Sequence, residues 1–202
     1  LWCDVVVFML PDQDRGVTSS GRGASSDAAG PVVFVDFDTV LLAVHPAARG
    51  PEYGLQADLD EAIGRLSEGA QAVVVLVGPP ATDVRQGIDT QRRIELLRDG
   101  LGQAAGEVLI ATCPHGGDGT CDCATPGAGL IEVAIEQHDL LRRGGWYVAG
   151  DQAGVVAGRV AGLHTIRIGP VGEDHLSAVH RPDYEARDLL DAANHILVEA
   201  AV

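Results

Sequence analysis

The sequence predicts a three-layer α/β domain built on a mostly parallel sheet of five strands. Continuous apolar runs of five to seven residues recur along the chain, VVFVD at 32–36 and QAVVVLV at 71–77 being the clearest. Segments with apolar residues at helical spacing separate them, and that alternation is the signature of strands covered by helices on both faces. With 46% hydrophobic and 21% charged residues among 202, the chain can bury a sizeable core.

Residues 1–30 are expected to form a flexible N-terminal leader, and residues 31–202 the α/β domain. Positions 11–30 are rich in Gly, Ser, Asp and Ala and carry no apolar period. The short apolar run Val5–Leu10 leaves open whether an edge strand precedes the domain. From Pro31 the order is regular. The run 32–36 reads as a buried strand ending in acid. Leu59, Ala62, Ile63 and Leu66 mark a helix over 58–69, with Gly69 suited to its C-cap. The second strand, 71–77, stops at Gly78-Pro79-Pro80, and 82–101 reads as helix with a weaker stripe. EVLIAT (107–112) is the third strand. Leu130, Ile131, Ala134, Ile135 and His138 mark the next helix. WYVAG (146–150) is the fourth strand, 152–163 a Gly/Ala/Val helix, HTIRIG (164–169) the fifth strand, and 184–200 the last helix.

Acidic residues outnumber basic ones 29 to 14, for a net charge of -15. That balance argues against nucleic acid and anionic membranes as partners, since both demand a basic face. All basic residues are Arg, so a Walker-type phosphate loop and Schiff-base chemistry are excluded. No apolar run approaches the ~20 residues of a membrane span, no signal-peptide pattern opens the chain, and a cytoplasmic location is expected.

Ligands of parallel sheets bind beyond the carboxyl ends of the strands. There the sequence FVDFDTVL places Asp36 at the end of the first domain strand and Asp38 two residues on. AGDQAG places Asp151 after the fourth. One carboxylate of such a set can attack while its neighbour moves a proton, and their hard oxygens suit Mg²⁺. The alternative is that these acids are turn residues only, which two acids ending separate strands plus a D-x-D argue against. No G-x-G-x-x-G follows the first strand, which disfavours a nucleotide-binding module.

Three of the four cysteines crowd into one loop. Cys113, His115, Cys121 and Cys123 form C-x-H-x5-C-x-C, the donor set of a closed tetrahedral Zn²⁺ site; a chance cluster of thiols or a redox pair is the alternative. Cys3 reads as a bystander. His45 is expected in a loop over the active face, most simply as a solvated side chain. His164, His175, His180 and His195 show no metal spacing. GEDH (172–175) and HRPDY (180–184) read as solvated loops, and Arg142-Arg143 as caps of the helix before them.

The order DFDTVL, CPHGGDGTCDCATPGAGLI, GDQAG resembles the haloacid dehalogenase superfamily, and within it the zinc-loop branch of histidinol and heptose-bisphosphate phosphatases. The resemblance covers roughly residues 31–170. It implies a Rossmann-like fold with a minimal cap, and a Mg²⁺-dependent phosphomonoesterase acting on a small phosphorylated metabolite, expected here as a monomer. It further implies Asp36 as nucleophile, Asp38 as general acid/base lending its carbonyl to Mg²⁺, and Asp151 as Mg²⁺ ligand. The chain departs from the pattern at Thr39 and Val40, at Val77-Gly78-Pro79 in place of a hydroxyl and Asn, at Ala124 and Thr125 in place of Arg and Lys, and at Val155 in place of an acid. Arg92, Arg93 and Arg142 are the cations that could replace the missing Lys. Two readings follow: an active phosphatase, or a catalytically impaired relative that retains the fold for binding or regulation.

Overall fold

Asp36 closes the middle strand of a seven-stranded sheet. In the computed structural model, residues 6–9, 30–47, 50–79, 89–101, 108–113, 115, 121–169 and 180–201 are described. The elements run β1 (Val6–Met9), β2 (Val32–Asp36), α1 (Phe37–Val40), β3 (Leu41–Ala47), β4 (Gly50–Leu55), α2 (Leu59–Gly69), β5 (Ala72–Val77), α3 (Thr90–Leu101), β6 (Val108–Thr112), α4 (Gly129–His138), β7 (Trp146–Ala149), α5 (Gln152–Val160), β8 (His164–Ile168), β9 (Tyr184–Ala186) and α6 (Leu189–Ala200). The sheet order is β1-β6-β5-β2-β7-β8-β9, with β3 and β4 forming a separate hairpin. Only the β1–β6 pair is antiparallel in the sheet.

Successive residues of a strand face opposite sides, and both sides are covered. Val33, Val35, Val73, Val75, Val148 and Ile166 pack under α2, α3 and α6, through Leu66, Leu97 and Ile196 among others. Phe34, Val74, Leu76, Tyr147 and Ala149 face α4 and α5, through Ile131, Ala134 and Ala157. From β2 the chain moves through β5 to β6 on one side, then returns to β7 and β8 on the other. The strand order therefore reverses around β2, which opens a crevice at its carboxyl end.

The three-layer α/β fold is present, but the sheet has seven strands rather than five. Val6–Met9 pairs with β6 as an edge strand, while residues 10–29 of the expected leader lie outside the described residues. Residues 184–186 form β9 where a helix start is expected, because Asp183 pins the segment to β8. Its carboxylate accepts from Thr165 N at 2.8 Å and Thr165 Oγ1 at 2.9 Å, so 180–184 is not a free loop. The helix starts after Asp188, whose side chain caps it by accepting from Asp191 N. Residues 41–55, left without structure by the sequence reading, form the hairpin, and His45 lies on β3 rather than in a loop. Gly69 is the last residue of α2 rather than its cap. A Cβ there would meet Leu197 Cδ2 at 2.4 Å, so close packing of α2 on α6 accounts for it. Helix α3 is described from Thr90. Cys3, His175, residues 82–88 and the loop 172–175 lie outside the described residues.

Candidate active site and metal centre

Parallel pairing fixes where the acids stand. Asp36 ends β2 and pairs in register with Leu76 of β5. Its Oδ1 accepts from Asp38 N at 3.1 Å, which starts the four-residue turn α1. Asp151 follows β7 and caps α5, its Oδ1 accepting from Gly154 N at 2.8 Å. The two turns touch at Gly150, where a Cβ would lie 3.3 Å from Thr39 Oγ1. The three acids thus share one crevice mouth, and their charges are felt mutually. Burial, then the Asp38 charge, lifts the Asp36 carboxyl from its ordinary 3.8 to about 7; Asp151 adds to the rise and the Asp38 N–H opposes it.

Three further residues hold this centre, two that sequence reasoning missed and one that it offered only among three candidate cations. Tyr147 donates from its hydroxyl to Asp36 Oδ2 at 3.4 Å. Burial, with the neighbouring carboxylates, holds its phenol well above the usual range, so it stays a donor. Gly158 on α5 makes room for its ring, since a Cβ there would meet Tyr147 Cδ1 at 2.8 Å, and Gly154 one turn earlier makes room for Ala149 of the same strand. A hydroxyl-bearing aromatic inside an otherwise apolar buried strand, followed by a G-x-x-x-G helix, was the available signal. Gln56 donates to the Thr39 carbonyl at 3.1 Å and accepts from Leu189 N at 3.4 Å, tying α1 to α6.

Arg93 is the third. It is wholly buried on α3, donates from Nη1 to the Gly78 carbonyl at 3.1 Å, and brings Nη2 to 3.4 Å from Asp38 Oδ1. Its guanidinium lies over the Phe37 ring, 5.6 Å from the centroid. Of the other candidate cations, Arg92 is exposed and pairs with Glu95 at 3.1 Å. Arg142 bonds Glu132 and the Ala161 carbonyl, joining α4 to the end of α5. It therefore caps α5, not the helix before it. Val77 is fully buried and offers no hydroxyl, and Thr125 is exposed.

The Cys/His loop leaves the sheet one strand pair away, where Cys113 N donates to the Val77 carbonyl at 3.1 Å. The donor atoms of Cys113, His115, Cys121 and Cys123 all lie within 4.8 Å of one another, a set that can hold a metal ion. Cys113, Cys121 and Cys123 form no disulfide among the described residues. Cys113 Sγ stands 3.3 Å from His115 Nδ1 and 3.5 Å from Cys121 Sγ, and Cys123 Sγ stands 3.9 Å from Nδ1. Ligands at Zn–S distances on a tetrahedron are separated by about 3.7 Å, so the spacing fits. Burial pushes the Cys113 thiol up to about 11, and a bound cation would reverse that. Gly129 N donates to the Asp122 carbonyl at 2.9 Å, and a Cβ on Gly129 would come within 2.7 Å of that oxygen; glycine lets the loop close.

No family model matches the chain. Among solved structures it resembles D,D-heptose 1,7-bisphosphate phosphatase from B. bronchiseptica, complexed with magnesium and phosphate, with a TM-score of 0.63 at 22% identity over 84% of this chain and 99% of that one. This is the haloacid dehalogenase-like fold. The chain also has sequence relatives. It is 34% identical over 99 residues to D-glycero-beta-D-manno-heptose-1,7-bisphosphate 7-phosphatase of Pseudomonas aeruginosa, covering 46% of this chain and 54% of the relative. The Pseudomonas putida enzyme of the same name is 26% identical over 113 residues, 54% of this chain and 63% of that one. The match thus spans a little over half the length of these relatives.

Proposed function

We propose that this chain is a phosphomonoesterase of the haloacid dehalogenase type, cleaving a small phosphorylated sugar through an aspartyl-phosphate on Asp36. The carrying observation is the crevice at the end of β2. There one carboxylate is fixed by a backbone N–H and a tyrosine, with two more carboxylates beside it. Asp36, lifted to about 7 by burial and then by the neighbouring carboxylate charges, lies among hard-oxygen donors that fit a divalent cation such as Mg²⁺, with Asp36, Asp151 and the carbonyl of Asp38 as its holders. When bound, that cation neutralises the carboxylates and draws phosphate oxygens toward them. The residues do the rest. The Asp38 N–H and the Tyr147 hydroxyl hold both Asp36 oxygens, limiting rotation of the attacking group. Asp36 attacks phosphorus, and the bond to the departing alkoxide breaks as Asp38 donates it a proton. Asp38 then takes a proton from water, whose oxygen attacks the phosphoryl group and restores Asp36.

The substrate class rests on the heptose-bisphosphate-phosphatase relatives. Zn²⁺ in the Cys113/His115/Cys121/Cys123 loop is part of the same reading, as a fold-stabilising ion with no open position. The buried Val77 side chain, lacking a hydroxyl, favours a second reading, an impaired phosphatase that binds without turnover. Phosphate release from heptose bisphosphates, sugar phosphates and histidinol phosphate, with and without Mg²⁺, decides between them. The expected result is Mg²⁺-dependent release that Asp36→Asn abolishes. Undiminished release in that variant overturns the mechanism, and binding without release in the parent selects the second reading.

A further inference from the structure

We propose that Arg93 supplies the fixed positive charge of the anion site, in the absence of any lysine, by neutralising Asp38 from inside the protein. The inference rests on the phosphatase reading above. Before Asp38 takes up the proton it later donates, three carboxylates set against one divalent cation leave a net negative charge, and a phosphate dianion must still approach. One further positive charge brings the empty centre to neutrality.

Arg93 is the guanidinium so placed. It belongs to α3, reaches inward past Phe37, and sits between Asp38 and the carbonyl at the tip of β5. Its burial is complete, which for a permanently charged side chain demands compensation. The compensation seen is partial. Nη1 has the Gly78 carbonyl and Nη2 has Asp38 at ion-pair distance, while Nε and Nη2 have no hydrogen-bond acceptor among the described residues. A cation retained at that cost, with its unsatisfied side against the catalytic turn, is explained by a negative charge that comes and goes.

Because Arg93 is covered by protein, it is a positioning residue. It fixes the Asp38 carboxylate and acts on phosphate through its field, which a low-dielectric surrounding transmits well. A charge-assisted contact of this kind is worth about 10- to 100-fold in affinity.

The test is calorimetric binding of inorganic phosphate to the full chain at saturating Mg²⁺, paired with kcat and KM on a turned-over sugar phosphate. Arg93→Gln should weaken phosphate binding about 10- to 100-fold, with KM rising in step. Arg93→Lys, which keeps the charge without the fork, should retain affinity within about fivefold, and Arg92→Gln on the exposed face of the same helix should change nothing. Loss of affinity in Arg93→Lys equal to that in Arg93→Gln would assign Arg93 a packing role and overturn the inference. Melting curves establish which variants fold; should Arg93→Gln fail to fold, the lysine variant decides alone, retained binding supporting the inference and a tenfold loss overturning it. Turnover that depends on Asp36 alongside unchanged phosphate affinity in Arg93→Gln removes this inference and leaves the phosphatase reading standing. A parent chain that neither binds phosphate nor turns over removes both.

Discussion

The acids of the crevice occupy positions 36, 38 and 151, while the thiols and imidazole of the loop occupy positions 113, 115, 121 and 123, and both groups stand at the same edge of the sheet. The first set exists only because β2 and β7 are paired in register, with Val35 beside Val148. The second is drawn together over a short stretch of chain by its own spacing, with glycines that let the loop close. A site built by long-range pairing is as stable as the core beneath it. A site built by local spacing needs the ion itself to hold it.

Perturbing the acids should therefore change chemistry and leave the loop untouched. Asp38→Asn should lower kcat by about 10²–10⁴-fold, with metal content at the loop unchanged by elemental analysis. Parallel loss of loop metal would show that the two sites are one cooperative unit.

The next effect is electrostatic and concerns the protein without added Mg²⁺. Asp36 rises from 3.8 unfolded to about 7 folded, so the folded state binds the proton more tightly. The stability it contributes is then greatest below 3.8, falls as pH rises through the window from 3.8 to about 7, and is level above it. The span is at most about 4 kcal/mol. The difference in unfolding free energy between Asp36→Asn and the parent should grow across that window. Added Mg²⁺ should stabilise the parent more at pH 8 than at pH 5. A flat difference curve would mean that Asp36 is not held among uncompensated charges.

A smaller and more local effect is expected at the loop. Cys121→Ser should remove about one metal ion per chain and lower hydrogen-exchange protection around 121–130, while amides of β2, β5 and β7 keep theirs. Collapse of protection in the sheet would show that the loop's ion holds the core as well as the loop. Smallest of all, Tyr147→Phe removes one long hydrogen bond, worth about 1 kcal/mol. Loss of that donor disfavours the carboxylate, so the midpoint of the Asp36 pH curve should move upward. An unmoved midpoint would show that the tyrosine only fills space.

The parallel strands and the positions of the acids were legible in the sequence because buried parallel strands read as unbroken apolar runs, and an acid just past such a run has one place to stand. The Cys/His loop was legible because its geometry is local. What escaped depends on partners distant in the chain. β9 is three residues long, too short for any period, and owes its place to Thr165 and Asp183. The hairpin runs LLAVHPA and GPEYGL, with prolines and no clean alternation. Arg93 is among the candidate cations, but the sequence does not single it out from Arg92 and Arg142. Nothing near it in sequence announces that Asp38 and Gly78 will be its neighbours.

The hairpin also has a footing that gives it mechanical meaning. Leu55, the last residue of β4, packs where the missing side chain of Gly100 leaves a notch on α3; a Cβ there would lie 2.4 Å from Leu55 Cδ1. Gly100 and Arg93 are seven residues apart, two turns, and so share one side of that helix. Helix α3 thus carries the hairpin's footing and the buried guanidinium on one side of a single element, so a bulkier residue at position 100 would disturb the seating of the helix that holds Arg93.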